Sequence, residues 1–231
     1  MHTLTIDIGG TGIKMIRLDA QGEAVSDRVR ELTPQPATPE PVLAVITSML
    51  ESQGDFGRVS VGFPGVVKRG VTFTAPNLAA GAWAGFDLES AVAACSGKPT
   101  RVLNDAELQG YGVISGKGVE IVLTFGTGLG TALYVDGRLV PNLELGHHPL
   151  GDKGETYEDL VRDDQVEAVG KVVWRERVAL VCGTLSRIFN YDRLYVGGGN
   201  ARHIEAPLPE GVERFDNARG MEGGVALWAN D

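Results

Sequence analysis

Thr3-Leu4-Thr5-Ile6-Asp7-Ile8-Gly9-Gly10-Thr11-Gly12-Ile13-Lys14 is the stretch that decides how the rest of this 231-residue chain is read. Its first four residues predict a strand, and Gly9 to Gly12 a glycine turn. Met15-Ile16-Arg17-Leu18 alternates in part and ends at Asp19-Ala20-Gln21-Gly22, so the order is strand, turn, strand, turn. The same order returns later. Glu120 to Phe125 predicts a strand, Gly126-Thr127-Gly128-Leu129-Gly130 a glycine turn, Thr131 to Val135 a strand, and Asp136-Gly137 a hairpin turn. Gly10-Thr11-Gly12-Ile13 and Gly126-Thr127-Gly128-Leu129 match at an offset of 116 residues. The match predicts an internal duplication, with two unrelated hairpins as the alternative. At that offset Asp7 corresponds to Leu123.

Between the copies the pattern alternates. Four prolines from Pro34 to Pro41 predict a loop, and the apolar spacing from Val42 to Glu51 a helix. Arg58 to Phe63 predicts a strand stopped by Pro64-Gly65. Asp87 to Cys95 predicts a helix with Asp87 or Ser90 near its cap. Thr100 to Leu103 predicts a strand, with a helix from about Ala106. After the second copy, Gln165 to Ile188 has helical spacing, with apolar positions at 166, 169, 172, 173, 178, 180, 181, 185 and 188. Arg193 to Val196 predicts a strand ending in Gly197-Gly198-Gly199-Asn200, and Met221 to Ala229 a short closing helix.

The composition is that of a folded globular chain, 43% hydrophobic and 22% charged. That excludes wholesale disorder, collagen and coiled coil. Glycine stands out at 32 residues, roughly twice average usage, which fits tight turns and close backbone approach to a ligand. Lys and Arg number 21 against 30 Asp and Glu, a net charge of −9. No basic footprint for a nucleic acid is present, so no nucleic-acid partner is expected. Cys95 and Cys182 lie in unrelated contexts, which excludes a disulfide framework and a CxxC metal site. The first residues lack a charged and then apolar leader, and no apolar run approaches the roughly 18 residues of a membrane span. A cytoplasmic protein with no membrane partner is expected.

Three glycine turns, at 9–12, 126–130 and 197–199, each follow a strand. Such turns aim backbone N–H groups into one concavity, a cradle for phosphate oxygens. None is a P-loop, because no GxxxxGK[ST] occurs. Asp7, beside the first turn, is either a carboxylate that holds Mg²⁺ through water or an ordinary turn Asp. Asn104-Asp105 reads as an N-cap, and equally as a carboxylate at the carboxyl end of a strand, where α/β ligand sites gather. There Asp105 would accept a proton from a substrate hydroxyl. Glu144-Leu145-Gly146-His147-His148 suits a polar pocket, whereas metal ligation lacks further ligands nearby. Thr156-Tyr157-Glu158-Asp159 reads as an acidic first helical turn.

Taken in order, these motifs form a recognisable set. Asp7-Ile8-Gly9-Gly10-Thr11-Gly12-Ile13-Lys14 resembles the first phosphate motif of the actin-like sugar kinases. Leu123-Thr124-Phe125-Gly126-Thr127-Gly128-Leu129-Gly130-Thr131-Ala132 resembles the second, and Tyr195-Val196-Gly197-Gly198-Gly199-Asn200 their nucleotide-edge motif. With Gly62-Phe63-Pro64-Gly65-Val66-Val67, Leu103-Asn104-Asp105-Ala106 and Glu144-Leu145-Gly146-His147, the chain resembles the ROK family, in its polyphosphate glucokinase-like branch. Thr156-Tyr157-Glu158 and the stretch Phe189 to Tyr195 fit that branch as well.

The resemblance implies an α/β, two-lobed actin-like (ribonuclease H-like) fold with an interdomain cleft. The lobes would be residues 1–108, with 221–231 packing back on them, and 109–220. It implies Asp105 as catalytic base. Asn104, Glu144, His147 and Glu158 would contact the sugar, and Gly65 would lie in the loop approaching it. Gly9, Gly10, Thr11, Gly12 and Lys14 would form the first phosphate loop, and Thr124, Gly126, Thr127 and Gly128 the second. Gly198 and Gly199 would lie by the adenosine of ATP. Asp7 would hold Mg²⁺ through water. The reaction implied is transfer from ATP, polyphosphate or both to the 6-hydroxyl of glucose or a similar hexose, with lobe closure excluding water. The alternative is a non-catalytic sugar or nucleotide sensor of the same fold.

Two departures from the family pattern matter. The cysteine-rich zinc loop of many ROK proteins is replaced by His148-Pro149-Leu150-Gly151-Asp152-Lys153-Gly154, so no structural zinc is expected. The chain starts at the first phosphate strand, which disfavours a repressor with a preceding DNA-binding domain. Polyphosphate users tend to be lysine-rich before the equivalent of Trp174, where this chain keeps Lys171 and adds Arg175 and Arg177. Relatives often form homodimers, but the sequence shows no exposed stripe that requires one.

Overall fold

The structure, a computed structural model, describes residues 1–205, 208–216 and 220–229. It divides into two units, the first of residues 1–112 with the described residues 220–229, the second of residues 113–216.

The first unit is built on a five-stranded sheet ordered β3-β2-β1-β4-β8. Here β1 is Thr3–Ile8, β2 Gly12–Leu18, β3 Val29–Leu32, β4 Arg58–Phe63 and β8 Thr100–Asn104. β1, β2 and β3 are antiparallel neighbours, whereas β4 and β8 run parallel to β1. Helices α1 (Pro39–Leu50) and α3 (Leu88–Ser96) supply the parallel crossovers. Between them lie a small sheet, β5 (Val67–Lys68), β6 (Val71–Thr72) and β7 (Phe86–Asp87), and the short helix α2 (Ala80–Trp83). The core joins Leu4, Ile6 and Ile8 to Val59, Val61, Phe63, Val42 and Ile46. Trp83 is fully buried there and its indole donates to the Ala37 carbonyl at 2.8 Å, so its one polar atom is satisfied.

The second unit repeats this order as β11-β10-β9-β12-β13. β9 is Val119–Phe125, β10 Leu129–Val135, β11 Arg138–Val140, β12 Arg193–Gly197 and β13 Val212–Arg214. Again the first three are antiparallel and the last two parallel to the first. Asp136 and Gly137 both have positive φ, the hairpin geometry that an Asp-Gly pair favours. Helix α5 (Tyr157–Val161) precedes α6 (Asp163–Phe189). Trp174 is fully buried, donates to the Val161 carbonyl at 2.8 Å and packs edge-on against Phe125. Identical order and sense in both sheets is what a duplication produces.

Several local readings need correction. The first helix starts at Pro39 rather than Val42, because proline at N1 gives up an N–H with no helical partner anyway. The long helix breaks at Gly170, which adopts φ 77° and ψ 157°. Of its apolar positions, 172, 173, 180 and 188 are exposed, and the core face is Trp174, Val178, Val181, Cys182 and Leu185. The closing helix, α7, covers only Gly223–Ala226. The guanidinium groups of Arg58 and Arg101 lie 5.2 and 4.2 Å from the ring centroid of Trp228 beyond it, and its indole donates to Ser60 Oγ at 2.8 Å.

Glu120, fully buried in β9, was not singled out by its sequence context. Its carboxylate accepts from the backbone N–H groups of Ser115, Gly116 and Lys117 and from the Tyr195 hydroxyl. A carboxylate so enclosed fixes the segment that enters the second unit.

Candidate active site

In the first unit the candidate residues sit at the carboxyl ends of adjacent parallel strands. Asp7 on β1 pairs in register with Gly62 on β4, and Gly62 with Leu103 on β8. Strands lie about 4.8 Å apart, so β1 and β8 are roughly 10 Å apart. The Asp7 carboxylate is 2.7 Å from the Lys14 ammonium, with side chains 21% and 35% exposed. Asp105 opens α4 (Asp105–Tyr111). Asn104 caps that helix, accepting from the backbone N–H of Ala106 and Glu107 while the Glu107 carboxylate accepts from the Asn104 N–H. This reciprocal box fixes the first turn. A Cβ at Gly62 would stand 3.3 Å from Leu108 Cδ2 and 3.4 Å from Asp105 Cα, so the helix starts close over β4.

Asn104 Nδ2 donates to the Gly65 carbonyl at 3.2 Å. Any Cβ at Gly65 would fall on the Thr74 carbonyl, and one at Gly10 would come within 2.8 Å of the Asn77 carbonyl. The first glycine turn and Gly65 thus meet the 74–77 segment backbone to backbone, and the Asn104 side chain ties Gly65 to the Asn104-Asp105 pair. The turn is closed by Gly9 N–H to the Gly12 carbonyl at 3.0 Å. Its Gly9 and Thr11 carbonyls accept from Thr33 and Arg30. Thr33, Arg30, Thr74 and Asn77 carry no motif, and only pairing across distant segments could have found them.

In the second unit the glycine turn is a hub. It is closed by Gly126 N–H to the Gly128 carbonyl at 3.0 Å and is one residue shorter than the first, since Phe125 pairs with Leu129 where Ile8 pairs with Ile13. Lys14 pairs with Asp7, and its counterpart Gly130 pairs with Thr124. The partner of Asp7 is therefore Thr124 and not Leu123, because the offset changes across the turn. The Leu129 N–H donates to Glu158 Oε2 at 2.9 Å, and a Cβ at Gly128 would run into that carboxylate. Glu158 stands on α5, whose N-cap Thr156 forms its own capping box with Asp159.

Gly198, at φ 86°, lies against the backbone of Phe125, where no Cβ fits. Gly126 and Gly199 have open space at the Cβ position. Asn200 is buried, and its Nδ2 has no partner among the described residues.

Glu144 and His147 frame the short 3₁₀ helix Leu145–His147. His147 Nε2 is 3.8 Å from Glu144 Oε2, with side chains 68% and 42% exposed. Thr131 on β10 holds this segment on both sides of Glu144: its hydroxyl donates to the Leu143 carbonyl and accepts from the Leu145 N–H. Burial pushes the Glu144 carboxyl above the usual range; His147 opposes that and Glu158 adds to it. The loop beyond is closed by backbone bonds, Leu150 to Glu155 and Tyr157 to His148.

Among the described residues no three His, Cys, Asp or Glu side chains cluster as metal ligands. None of the described helices is long and apolar enough to cross a membrane.

The chain is similar in sequence and fold to several known proteins. A family model described as the ROK family matches residues 3–157. The polyphosphate glucokinase of Mycobacterium tuberculosis is 35% identical over 221 residues, covering 90% of this chain and 81% of that protein. The crystal structure of an inorganic polyphosphate/ATP-glucomannokinase from Arthrobacter sp. strain KM superimposes with a TM-score of 0.83 at 31% identity, over 99% and 98% of the chains. A ROK family glucokinase from Streptomyces griseus, in complex with glucose and AMPPNP, shares the fold with a TM-score of 0.76 at 20% identity, over 100% of both chains.

Proposed function

We propose that the chain, which belongs to the ROK family, is a sugar kinase that transfers a terminal phosphoryl group from ATP or polyphosphate to the 6-hydroxyl of glucose or a similar hexose. The observation that carries the reading is Asp105, fixed by the Asn104–Glu107 box at the carboxyl end of β8. A carboxylate held there suits a general base, because the helix start that orients it also leaves it acceptor capacity.

In this reading Asp105 takes the proton of the 6-hydroxyl as that oxygen attacks the terminal phosphorus and the bond to the leaving phosphate oxygen breaks. Glu144 accepts from a sugar hydroxyl, His147 and Asn104 make further hydroxyl contacts, and Gly65 keeps its loop close to the ring. Glu158 contacts sugar with the carboxylate that also receives the Leu129 N–H. Positioning and charge neutralisation carry most of such a reaction. For the donor, N–H groups of the turns 9–12 and 126–128 face phosphate oxygens, aided by Lys14. The tying of the Gly9 and Thr11 carbonyls by Thr33 and Arg30 supports this, because it turns the acceptors of the first turn away from an anion. Gly198 and Gly199 border the donor's far end.

The donor set at Asp7 is one partly exposed carboxylate beside a glycine turn. It fits a cation that keeps most ligands as water and phosphate oxygen, as Mg²⁺ does. Asp7 would hold the ion through water, and when bound the ion supplies charge neutralisation to the donor phosphates.

The test is hexose 6-phosphate formation with Mg²⁺ over a panel of glucose, mannose and other hexoses, with ATP and polyphosphate in parallel. Turnover with either donor is the expected result, and the ratio ranks them. A folded protein that binds sugar in a thermal-shift assay and turns over none of the panel would overturn the assignment in favour of a sensor.

A further inference from the structure

The second glycine turn is held from outside at both ends. At its far end the Leu129 N–H donates to Glu158 Oε2 at 2.9 Å. At its near end the Gly126 carbonyl accepts from the Asp163 N–H at 2.9 Å. Both partners belong to one short stretch, α5 and the first residue of α6. The same stretch is bonded to the end of the Glu144–His148 segment, because the Tyr157 N–H donates to the His148 carbonyl at 3.1 Å. Gly146, between Glu144 and His147, meets Leu129 as well: a Cβ there would stand 2.7 Å from the Leu129 carbonyl oxygen. Glu158 also lies near enough to Glu144 for its charge to act on that carboxyl. Leu129 is thus the point where the glycine turn, α5 and the Glu144 segment meet.

We propose that α5 is a bracket that couples the two substrates inside the second unit: Glu158 and the Asp163 N–H position the second phosphate turn, and sugar seated on Glu158 strengthens donor binding there. The proposal rests on the kinase reading above. Its physical reason is shared ordering. A sugar hydroxyl that donates to Glu158 fixes that side chain, and with it the acceptor of the Leu129 N–H. The turn then loses less freedom when phosphate oxygens bind it, so the second ligand binds more tightly than it would alone. Coupling of this kind is reciprocal, and donor must raise sugar affinity by the same factor. Its consequence is that donor binds best where a sugar hydroxyl, rather than water, is present to receive the phosphoryl group.

The test is calorimetry on the full chain with the 6-deoxy form of the hexose it turns over, which keeps the ring hydroxyls and accepts no phosphoryl group. ATP and polyphosphate are titrated with and without that sugar, and the sugar with and without donor. The wild type is expected to show a coupling of about tenfold in both directions. Two variants then probe the bracket from the donor side. Gly128 has no left-handed backbone, and a Cβ there displaces the Glu158 carboxylate. Gly128→Ala should therefore weaken sugar binding by about tenfold even with no donor present. Asp163→Pro removes the N–H that reaches Gly126. Proline suits the first helical position, and Arg162 before it, at φ −60° and ψ 165°, already has the backbone that precedes a proline. This variant should bind sugar alone normally and lose most of the coupling, whereas Asp163→Ala, which keeps the N–H, should retain it. Sugar binding unchanged in Gly128→Ala, or coupling unchanged in Asp163→Pro, would overturn the proposal. Substrates that bind independently in an active wild type would overturn it and leave the kinase reading standing, whereas no turnover with any hexose removes both. Circular dichroism checks that each variant is folded, and if Gly128→Ala is not, Asp163→Pro decides alone.

Discussion

Asp105 and Glu144 are carboxylates with opposite demands on their surroundings. In the proposed role Asp105 would be held in place and ready to accept a proton, and the Asn104–Glu107 box around it serves the first need. Asp105→Asn keeps the shape and loses the base. We expect sugar binding to persist and kcat to fall by about 10²–10⁴, measured by initial rates alongside a sugar titration; near-normal kcat would remove Asp105 from the role. Glu144 instead bears a desolvation penalty, because burial raises its pKa. The folded chain holds that proton to higher pH than the unfolded chain. The group's contribution to stability therefore falls as pH rises from the ordinary glutamate value, and is lost above the raised one. Glu144→Gln removes the penalty. We expect it to raise Tm slightly at pH values above the raised one, with the advantage vanishing below the ordinary glutamate range. The same change should raise the sugar KM by about tenfold or more, since a hydrogen bond to a charged acceptor is lost. An unchanged KM would take Glu144 out of the sugar site.

Elements in this chain are positioned largely where backbone meets backbone. The glycine turn at 197–199 touches the second hairpin through Gly198, whose φ of 86° and contact with Phe125 leave no room for a side chain. Gly198→Ala should cost roughly 1–3 kcal/mol from the backbone conformation alone, read by denaturant unfolding, and should raise the KM for the donor more than that for sugar. A stable variant with normal donor kinetics would show that the turn does not depend on this contact. Thr131 works in the same way for the segment around Glu144: one hydroxyl on a strand fixes both its flanks. Helix α5 sets Glu158 against the second turn, so a residue on one element holds the geometry of another.

Over the whole molecule, each unit has its own sheet and its own buried tryptophan, Trp83 in one and Trp174 in the other. Residues 220–229 return to the first unit, where the Arg58 and Arg101 guanidinium groups lie against the Trp228 ring and Ser60 Oγ donates to the Gly224 carbonyl. Burial and the nearby Arg101 lower the Arg58 pKa, and the indole face offers that charge partial compensation. Trp228 is only partly buried, so Trp228→Ala should cost roughly 2–3 kcal/mol, less than a fully buried tryptophan. That predicts a loss of several degrees in Tm, and the two remaining tryptophans report each unit separately by fluorescence. An unchanged melting curve would mean that the returning segment does not stabilise the first unit.

What the sequence determined by itself is local. Strand and glycine turn at 3–12 and again at 120–130, the Asp136-Gly137 hairpin, the Asn104 cap before Asp105 and the helix at Glu158 were legible because period, turn and cap signals depend on neighbours a few residues apart. The order of those signals also carried the family. Tertiary structure decided what depends on register between distant segments. The shorter second turn makes Thr124, and not Leu123, the counterpart of Asp7, and only strand pairing shows it. Glu120 reads as one more charge in a strand until three backbone N–H groups and Tyr195 close around it. Val172, Val173, Leu180 and Ile188 fit a helical period as well as core residues do. Which side of α6 meets the sheet was settled by packing of the bulky Trp174 against Phe125 and by the break at Gly170. Hydrophobic spacing specifies a helix, but the shape of the neighbouring surface selects the face it buries.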